Sequence, residues 1–210
     1  MEKQGTFLEA GAYDGEFLSN TLFLEKEYGW RGILVEANPD FFKRLLKKNR
    51  KSYAVNICLN TNPYPTKEEF MIASSESDIN HVGGALHKAN ANTVVHLEQQ
   101  TNLASSRLHR FKDKETPKAT KLVSVQCVPI YTVVQALGLS HIDFLSLDVE
   151  HAEMGILDTI PWDKLSFTVL AIESTAPDEL IAFMTKQGYA HIASEEGDHI
   201  FVNDRKTRKV

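Results

Sequence analysis

The chain has 210 residues, of which 42% are hydrophobic, and its formal net charge at pH 7 is −5. This length predicts one well-buried domain over residues 1–210, and the negative charge argues against a dedicated nucleic-acid-binding protein. No apolar run approaches the roughly 20 residues of a membrane span, and no signal peptide precedes the first predicted strand. We therefore expect no membrane contact from this chain itself and, as given, a cytoplasmic location.

A strand, a glycine turn and a helix form the first predicted unit. The apolar strand Thr6–Leu8 ends in Glu9, and the turn that follows carries Gly11 and Gly15. Glycine permits positive φ values and lets a ligand approach the backbone closely. An amphipathic pattern then predicts a helix over 16–28. The residues expected near its buried face are Phe17, Thr21, Leu24 and Tyr28.

The second predicted unit brings another carboxylate to a strand end. Strand Ile33–Val35 delivers Glu36, and a carboxylate at this position commonly binds ribose hydroxyls. Asn38 and Pro39 are good N-cap and first-turn residues for a helix that runs to about Lys48. Its expected buried stripe consists of Phe41, Phe42, Leu45 and Leu46. A third strand, predicted over 52–59, completes a β-α-β-α-β pattern typical of a parallel, doubly wound sheet.

The glycine turn also indicates the ligand class. A dinucleotide fingerprint requires G-x-G-x-x-G, whereas this chain has only Gly11-x-x-x-Gly15. Glu9 and Asp14 would repel a pyrophosphate but suit a cationic amino-acid tail, so S-adenosylmethionine fits better than NAD or FAD. An ordinary βα turn without a ligand is the alternative, and a nicotinamide oxidoreductase is a distant third hypothesis.

The middle of the chain, residues 60–120, is polar and predicts an insertion after the third strand. A loop of this length is uncommon in a compact domain, so we expect either a lid or a disordered linker, with short strands near 69–73 and 123–127. Cys58 and Cys127 are expected to be buried free thiols. His81 and His87 are expected at the surface, and because no histidine or cysteine spacing suits a metal, none is predicted. The basic cluster Lys43–Lys51 and the tail Arg205–Lys209 are interpreted as solvated surface.

Regular structure returns after the insertion. A helix is predicted near Tyr131–Leu137, followed by the apolar strand Ile142–Asp148. Asp148, Glu150 and His151 follow at its carboxyl end, where they point into the same crevice as the earlier acids. The remaining predicted elements are a helix through Leu157, the strand Thr168–Ile172 ending in Glu173, the helix Pro177–Gln187, and a closing hairpin of Tyr189–Ala193 and His199–Asn203.

Three motifs in these elements resemble those of the FkbM-type S-adenosylmethionine-dependent methyltransferases: EAGAYDG at 9–15, GWRGILVEANP at 29–39 and IDFLSLDVE at 142–150. Shorter phrases, LSNTL at 18–22 and TIPWDK at 159–164, are similar to a metazoan subgroup that includes the fly protein Star. The resemblance implies a Rossmann-like methyltransferase fold, α/β and doubly wound, with a mostly parallel sheet and an antiparallel closing strand. It also implies O-methylation of a small-molecule or glycan hydroxyl.

The site residues that follow from these motifs form two groups. Those expected to bind the cofactor are Glu9, Gly11, Ala12, Tyr13, Asp14, Gly15, Glu36, Ala37 and Asn38. Those expected to orient or deprotonate the acceptor are Asp148, Glu150 and, as a weaker base, His151.

Two positions depart from the family pattern, which usually has Asn in place of Tyr13 and Gly in place of His151. A competing hypothesis is therefore a non-catalytic methyltransferase-fold module of a Star-like secretory-pathway trafficking factor, which would contact a protein partner. The chain would then be the lumenal or membrane-anchored domain of a longer protein.

Overall fold

A computed structural model describes residues 4–74, 84–86, 119–149, 151–195 and 197–204. Its strands are β1 Thr6–Ala10, β2 Arg31–Val35, β3 Tyr53–Val55, β4 Cys58–Leu59, β5 Thr66–Ser74, β6 Gly84–Leu86, β7 Ala119–Val128, β8 His141–Leu147, β9 Ser166–Glu173, β10 Tyr189–Glu195 and β11 Asp198–Asn203. Its helices are α1 Leu22–Tyr28, α2 Pro39–Lys47, α3 Ile130–Gln135, α4 Glu153–Asp158 and α5 Pro177–Lys186.

The central sheet has seven strands in the order β10-β11-β9-β8-β1-β2-β3. Strands β3, β2, β1, β8 and β9 are parallel, whereas β11 runs antiparallel to both β9 and β10. The chain leaves β1 toward β2 and β3 and later returns to the other side of β1 as β8, so the strand order reverses between β1 and β8. This confirms the predicted doubly wound sheet and its antiparallel closing strand. In sheets of this kind, ligands bind at the carboxyl ends of the strands beside such a reversal, which here are β1, β2 and β8.

The central strands are buried on both faces, as parallel strands covered by helices are. On β1, Leu8 belongs to the main core, which α3, α4 and α5 also line, while its neighbour Phe7 packs with Leu34 and Leu45 on the opposite face. Successive side chains of a strand alternate in direction, so the apolar run lines two cores at once. Of the stripe predicted on α2, Leu45 is buried and Leu46 is 55% exposed, which contradicts that part of the prediction.

A smaller sheet of four strands, in the order β4-β7-β5-β6, is built around the insertion. The predicted strand over 52–59 is therefore two strands in different sheets, because the chain leaves β2 after Val55 and pairs Cys58 with Cys127. The short strands predicted near 69–73 and 123–127 are confirmed as parts of longer β5 and β7. The lid or linker predicted within 60–120, with His81 and His87, falls largely on 75–83 and 87–118, outside the described residues.

Cys58 and Cys127 form a disulfide, with Cα atoms 4.4 Å apart, so the prediction of free thiols was wrong. The bridge joins neighbouring parallel strands across 69 positions of sequence, and only their register brings the two cysteines together. Both cysteines are buried in the core of the small sheet with Phe70, Ile72 and Val125. Ala37, just after β2, packs against this core, so the disulfide-bonded sheet supports the segment that follows Glu36.

Helix α1 begins at Leu22, six positions later than the pattern predicted. Residues 13–21 form turns instead, and Tyr13 and Leu18 adopt positive φ values of 50° and 55°. Left-handed residues interrupt a helix. Phe17 and Tyr28 are 53% and 52% exposed, so they do not line the buried face expected of them. Within the described residues, no helix is long and apolar enough to cross a membrane.

Candidate cofactor and acceptor site

The glycine turn lies at the point where the strand order reverses, and Gly11 is required there by a backbone contact. A Cβ atom on Gly11 would lie 1.9 Å from the carbonyl oxygen of Asp148, and the φ value of Gly11 is +85°. The group that comes close to Gly11 is therefore the backbone at the end of β8, whereas the sequence pattern predicted a ligand at this position. Gly15, at φ +82°, faces the Leu45 side chain of α2, 3.0 Å from the position of a Cβ.

The backbone N–H groups of this turn are mostly used within the protein. Gly11 and Ala12 both donate to the Val35 carbonyl at 3.1 Å, and Gly15 donates to the Ala12 carbonyl at 2.8 Å. Tyr13 donates to the Glu36 carboxylate at 2.7 Å. Four of the five N–H groups at 11–15 thus have internal acceptors, so the turn is poorly suited to hold a pyrophosphate, which requires several free donors.

Glu9 lies beneath the turn, and its side chain holds the following loop. It is 3% exposed and accepts hydrogen bonds from the Ser19 hydroxyl at 2.9 Å, the Asn20 N–H at 2.9 Å and the Thr21 hydroxyl at 2.5 Å. Burial raises the pKa of Glu9, while these donors and the Arg50 guanidinium act in the opposite direction. The structure places Glu9 as a support for residues 19–21.

Three other predicted cofactor residues also support the turn and α2. Ala12 is 2% exposed and lies behind the turn. Asp14 accepts N–H bonds from Glu16 and Phe17 and pairs with Lys48 Nζ at 3.2 Å. Burial by itself would raise the pKa of Asp14, but these N–H donors and Lys48 outweigh it, so the pKa is lowered. Asn38 caps α2, as predicted, by accepting from the Asp40 and Phe41 N–H groups.

Glu36 is the buried carboxylate at the tip of β2. It is 6% exposed, and each carboxylate oxygen accepts one backbone N–H, from Tyr13 and from Asn38, at 2.7 Å. Burial raises the pKa of Glu36 to about 7, although both N–H donors lower it. A carboxylate oxygen has two lone pairs, so each oxygen can accept one further hydrogen bond. Beside it the Tyr13 ring packs edge-on against Phe41, with ring centroids 4.3 Å apart.

A second group of carboxylates lies at the carboxyl ends of β8 and β9. Oxygen atoms of Asp148, Glu153 and Glu173 are all within 4.8 Å of one another, and Asp198 pairs in register with Glu173. Such a set of oxygen ligands could hold a hard divalent cation. The sequence analysis, which weighed cysteine and histidine spacing, did not anticipate it.

Asp148 has a strongly raised pKa. Burial, and then its charge repulsion and hydrogen bond with Glu173, raise the pKa of Asp148 to about 8, with Asp198 and Glu9 adding to the effect. Because the Asp148 side chain is exposed to solvent, repulsion by the neighbouring carboxylates contributes more to this raised pKa than loss of water does.

Glu150, the second predicted catalytic acid, lies outside the described residues. His151 follows it with a φ value of +76°, and its backbone N–H donates to Glu153 at 3.2 Å. Both departures from the family pattern, Tyr13 and His151, therefore occupy left-handed backbone conformations. Asn and Gly, which the sequence resemblance leads one to expect at these positions, adopt that conformation more readily than Tyr and His respectively.

Several residues that shape this site were not predicted from the sequence. Arg50, part of the basic cluster interpreted as solvated surface, has a side chain that is only 3% exposed and pairs with buried Glu25. Glu173 was recognised as a strand end but was not assigned to the site. Glu173 could have been assigned to the site, because the carboxyl ends of parallel strands meet at one edge of the sheet. Arg50 could not, because no local pattern distinguishes it from its exposed neighbours.

Comparison with known proteins supports the reading of these motifs. A family model described as the methyltransferase FkbM domain matches residues 9–190. The chain belongs to the FkbM methyltransferase family. Comparison of the sequence with curated proteins gives no significant match.

Among solved structures, the FkbM domain described here is similar to the precorrin-6Y C5,15-methyltransferase of Geobacter metallireducens. The TM-score is 0.39 and the identity 11%, over 96% of this chain and 80% of that one. The predicted family is confirmed by the family match, and the Rossmann-like arrangement by the strand order itself. Placement in the Star subgroup stays a prediction.

Proposed function

We propose that this FkbM domain binds S-adenosylmethionine at the carboxyl edge of the central sheet and catalyses methyl transfer to a hydroxyl oxygen of a small molecule or glycan. The position and hydrogen bonding of Glu36 are the main support for the proposal. It lies at the tip of the second strand, where a carboxylate receives ribose hydroxyls, and each of its oxygens has a lone pair left after the bonds from Tyr13 and Asn38.

The charge of the edge fits the same cofactor. Glu9, Glu36, Asp148, Glu153 and Glu173 all lie at or beside the carboxyl ends of β1, β2, β8 and β9. This arrangement favours a ligand with an ammonium and a sulfonium group and disfavours phosphates. When bound, S-adenosylmethionine supplies a methyl group on positively charged sulfur, which leaves as a neutral thioether. Ala37, Tyr13 and the Gly11–Gly15 turn border Glu36 and would contact the remainder of the cofactor.

Asp148 and Glu173 are suited to receive the proton of the acceptor hydroxyl. As oxygen bonds to the methyl carbon, its proton must leave, and a base with a pKa near the working pH accepts it most effectively. The pKa of Asp148, about 8, lies in that range. Glu173 hydrogen-bonds to Asp148, and the ionised carboxylate of this pair would accept the transferred proton. The main contribution of the protein is then to align the acceptor and exclude water.

Titration calorimetry with S-adenosylmethionine tests the proposal. Wild-type protein should bind, Glu36→Ala should lose binding, and Asp148→Asn should retain it. Glu27→Gln, on the exposed face of α1, is a matched control for the loss of one carboxylate. Release of S-adenosylhomocysteine in the presence of a panel of sugars and hydroxylated small molecules should then disappear in Asp148→Asn. No binding by folded wild-type protein at millimolar cofactor would reject the proposal.

The disulfide favours a second candidate, a domain of a secretory-pathway protein with a protein partner. Disulfides persist in oxidising compartments and are rare in the cytosol of mesophiles. Cys58 and Cys127 are 6% and 0% exposed, as expected for a structural bridge. Mass spectrometry of protein purified from cells under thiol-blocking conditions distinguishes the two locations. An intact bridge together with an absence of cofactor binding would favour the non-catalytic Star-like module.

A further inference from the structure

Arg50 lies beneath the glycine turn and reaches three segments at once. Its guanidinium donates from Nη1 to the Gly15 carbonyl and to Ser19 Oγ at 3.2 Å, and from Nη2 to Thr21 Oγ1 at 3.0 Å. From Nε it donates to Glu25 at 3.2 Å. The side chains of Arg50 and Glu25 are only 3% and 5% exposed. A buried charge with this many partners is strongly oriented.

These bonds also determine the direction of the hydrogen bonds to Glu9. Ser19 and Thr21 each have one hydroxyl proton, and each oxygen already accepts from Arg50. Their protons are therefore free to point at Glu9, to which both hydroxyls donate. Glu9 and Arg50 thus both bind the 19–21 loop through the hydroxyls of Ser19 and Thr21.

We propose that Arg50 is a positioning residue for cofactor binding, which holds the Gly11–Gly15 turn and the 19–21 loop in the form that accepts S-adenosylmethionine. The inference rests on the proposed function. Arg50 acts through the Gly15 carbonyl and through the hydroxyls that donate to Glu9. The left-handed residue Asn49, at φ +53°, follows Lys48, the C-cap of α2, and immediately precedes Arg50.

The shape of the guanidinium is essential to this role. Its planar fork serves Gly15, Ser19, Thr21 and Glu25 together, whereas a lysine ammonium is a single point on a flexible stem and cannot reach all four. Arg50→Lys therefore keeps the charge but loses the simultaneous contacts. Glu25→Gln is the complementary variant. It removes the ion pair with Arg50 but leaves the contacts of Arg50 to the turn in place.

The test compares these two variants with Lys47→Gln, which removes an exposed positive charge at the end of α2. Affinity for S-adenosylmethionine is measured by calorimetry on folded protein, and hydrogen exchange of the peptide covering 11–21 is measured without cofactor. We expect Arg50→Lys to raise Kd at least about ten-fold and to speed exchange in that peptide. Glu25→Gln should change Kd less than about three-fold even though it lowers stability, and Lys47→Gln should match wild type.

The outcomes separate the two proposals. Absence of binding by wild-type protein would overturn the proposed function and, with it, a role of Arg50 in cofactor binding. If wild type binds, equal affinity and equal exchange in Arg50→Lys would overturn the positioning role alone. Equal losses of affinity in Arg50→Lys and Glu25→Gln would also overturn it, because the effect would then follow stability. Should Arg50→Lys fail to fold, Ser19→Ala and Thr21→Val each remove one contact of Arg50 to the loop together with one bond to Glu9, and unchanged affinity in both variants would overturn the positioning role.

Discussion

Replacement of Gly11 by alanine should destabilise the domain much more than the same change at Gly15. Both glycines have φ values above +80°, so each variant incurs about 1–2 kcal/mol of left-handed strain. At Gly11 the new Cβ would also lie 1.9 Å from the Asp148 carbonyl oxygen, a backbone atom that cannot rotate away. At Gly15 it would lie 3.0 Å from Leu45 Cγ, a side-chain atom that can shift.

Forced overpacking costs roughly 1–3 kcal/mol, so Gly11→Ala should lose about 2–5 kcal/mol in total. Gly15→Ala should lose about 1–2 kcal/mol. The free energy of unfolding is measured by urea titration of the disulfide-intact protein, with circular dichroism to follow the fold. The difference between the variants isolates the steric part, because the backbone conformation is common to both. Equal losses, within the extrapolation error of about 10–15%, would refute the close approach of β8 to the turn.

Three further predictions follow from the site and the disulfide. His151→Gly should raise the free energy of unfolding by about 0.5 kcal/mol, since it relieves a φ of +76°, and a decrease would show that the imidazole stabilises the fold. Because folded Glu36 has a pKa of about 7 against 4.5 when unfolded, its contribution to stability declines as pH rises between those values, and Glu36→Gln should show a shallower pH slope in urea titrations at pH 4.5–7.5. A slope as steep as that of wild type would contradict the raised pKa. Joint replacement of Cys58 and Cys127 by alanine should lower the free energy of unfolding by up to about 4 kcal/mol for a bridge spanning 69 positions, and unchanged stability would indicate that the bridge is absent in solution.

The predicted strands and helices agree with the structure where the signal is local. Asn38 and Pro39 start α2 as their capping preferences predict, and the apolar runs at 142–148 and 168–172 are central strands. The start of α1 was misplaced because side chains from elsewhere in the chain hold residues 15–21 as turns. Glu9 and Arg50 bind Ser19 and Thr21, and the amphipathic pattern of 16–28 contains no trace of that contact.

The candidate site divides in the same way. Glu36 and Asp148 were recognisable because acids that follow apolar strands meet at one edge of a parallel sheet. Asp198 was not recognisable, because it reaches Glu173 only through the register of an antiparallel pair. The supporting roles of Glu9, Asp14 and Asn38 also emerged only from their hydrogen bonds, since a carboxylate or amide beside a turn can equally well face a ligand or the protein.

The sequence by itself determined the order of the elements, the family and the acidic strand ends, because periodicity, capping residues and short motifs depend on neighbours within a few positions. Tertiary structure alone decided that Cys58 meets Cys127, that Arg50 is buried under the glycine turn, and that Gly11 is required by the carbonyl of Asp148. Each of these contacts joins segments brought together by strand pairing and packing. The chemistry of a single residue does not specify such partners; the register of the assembled sheet does.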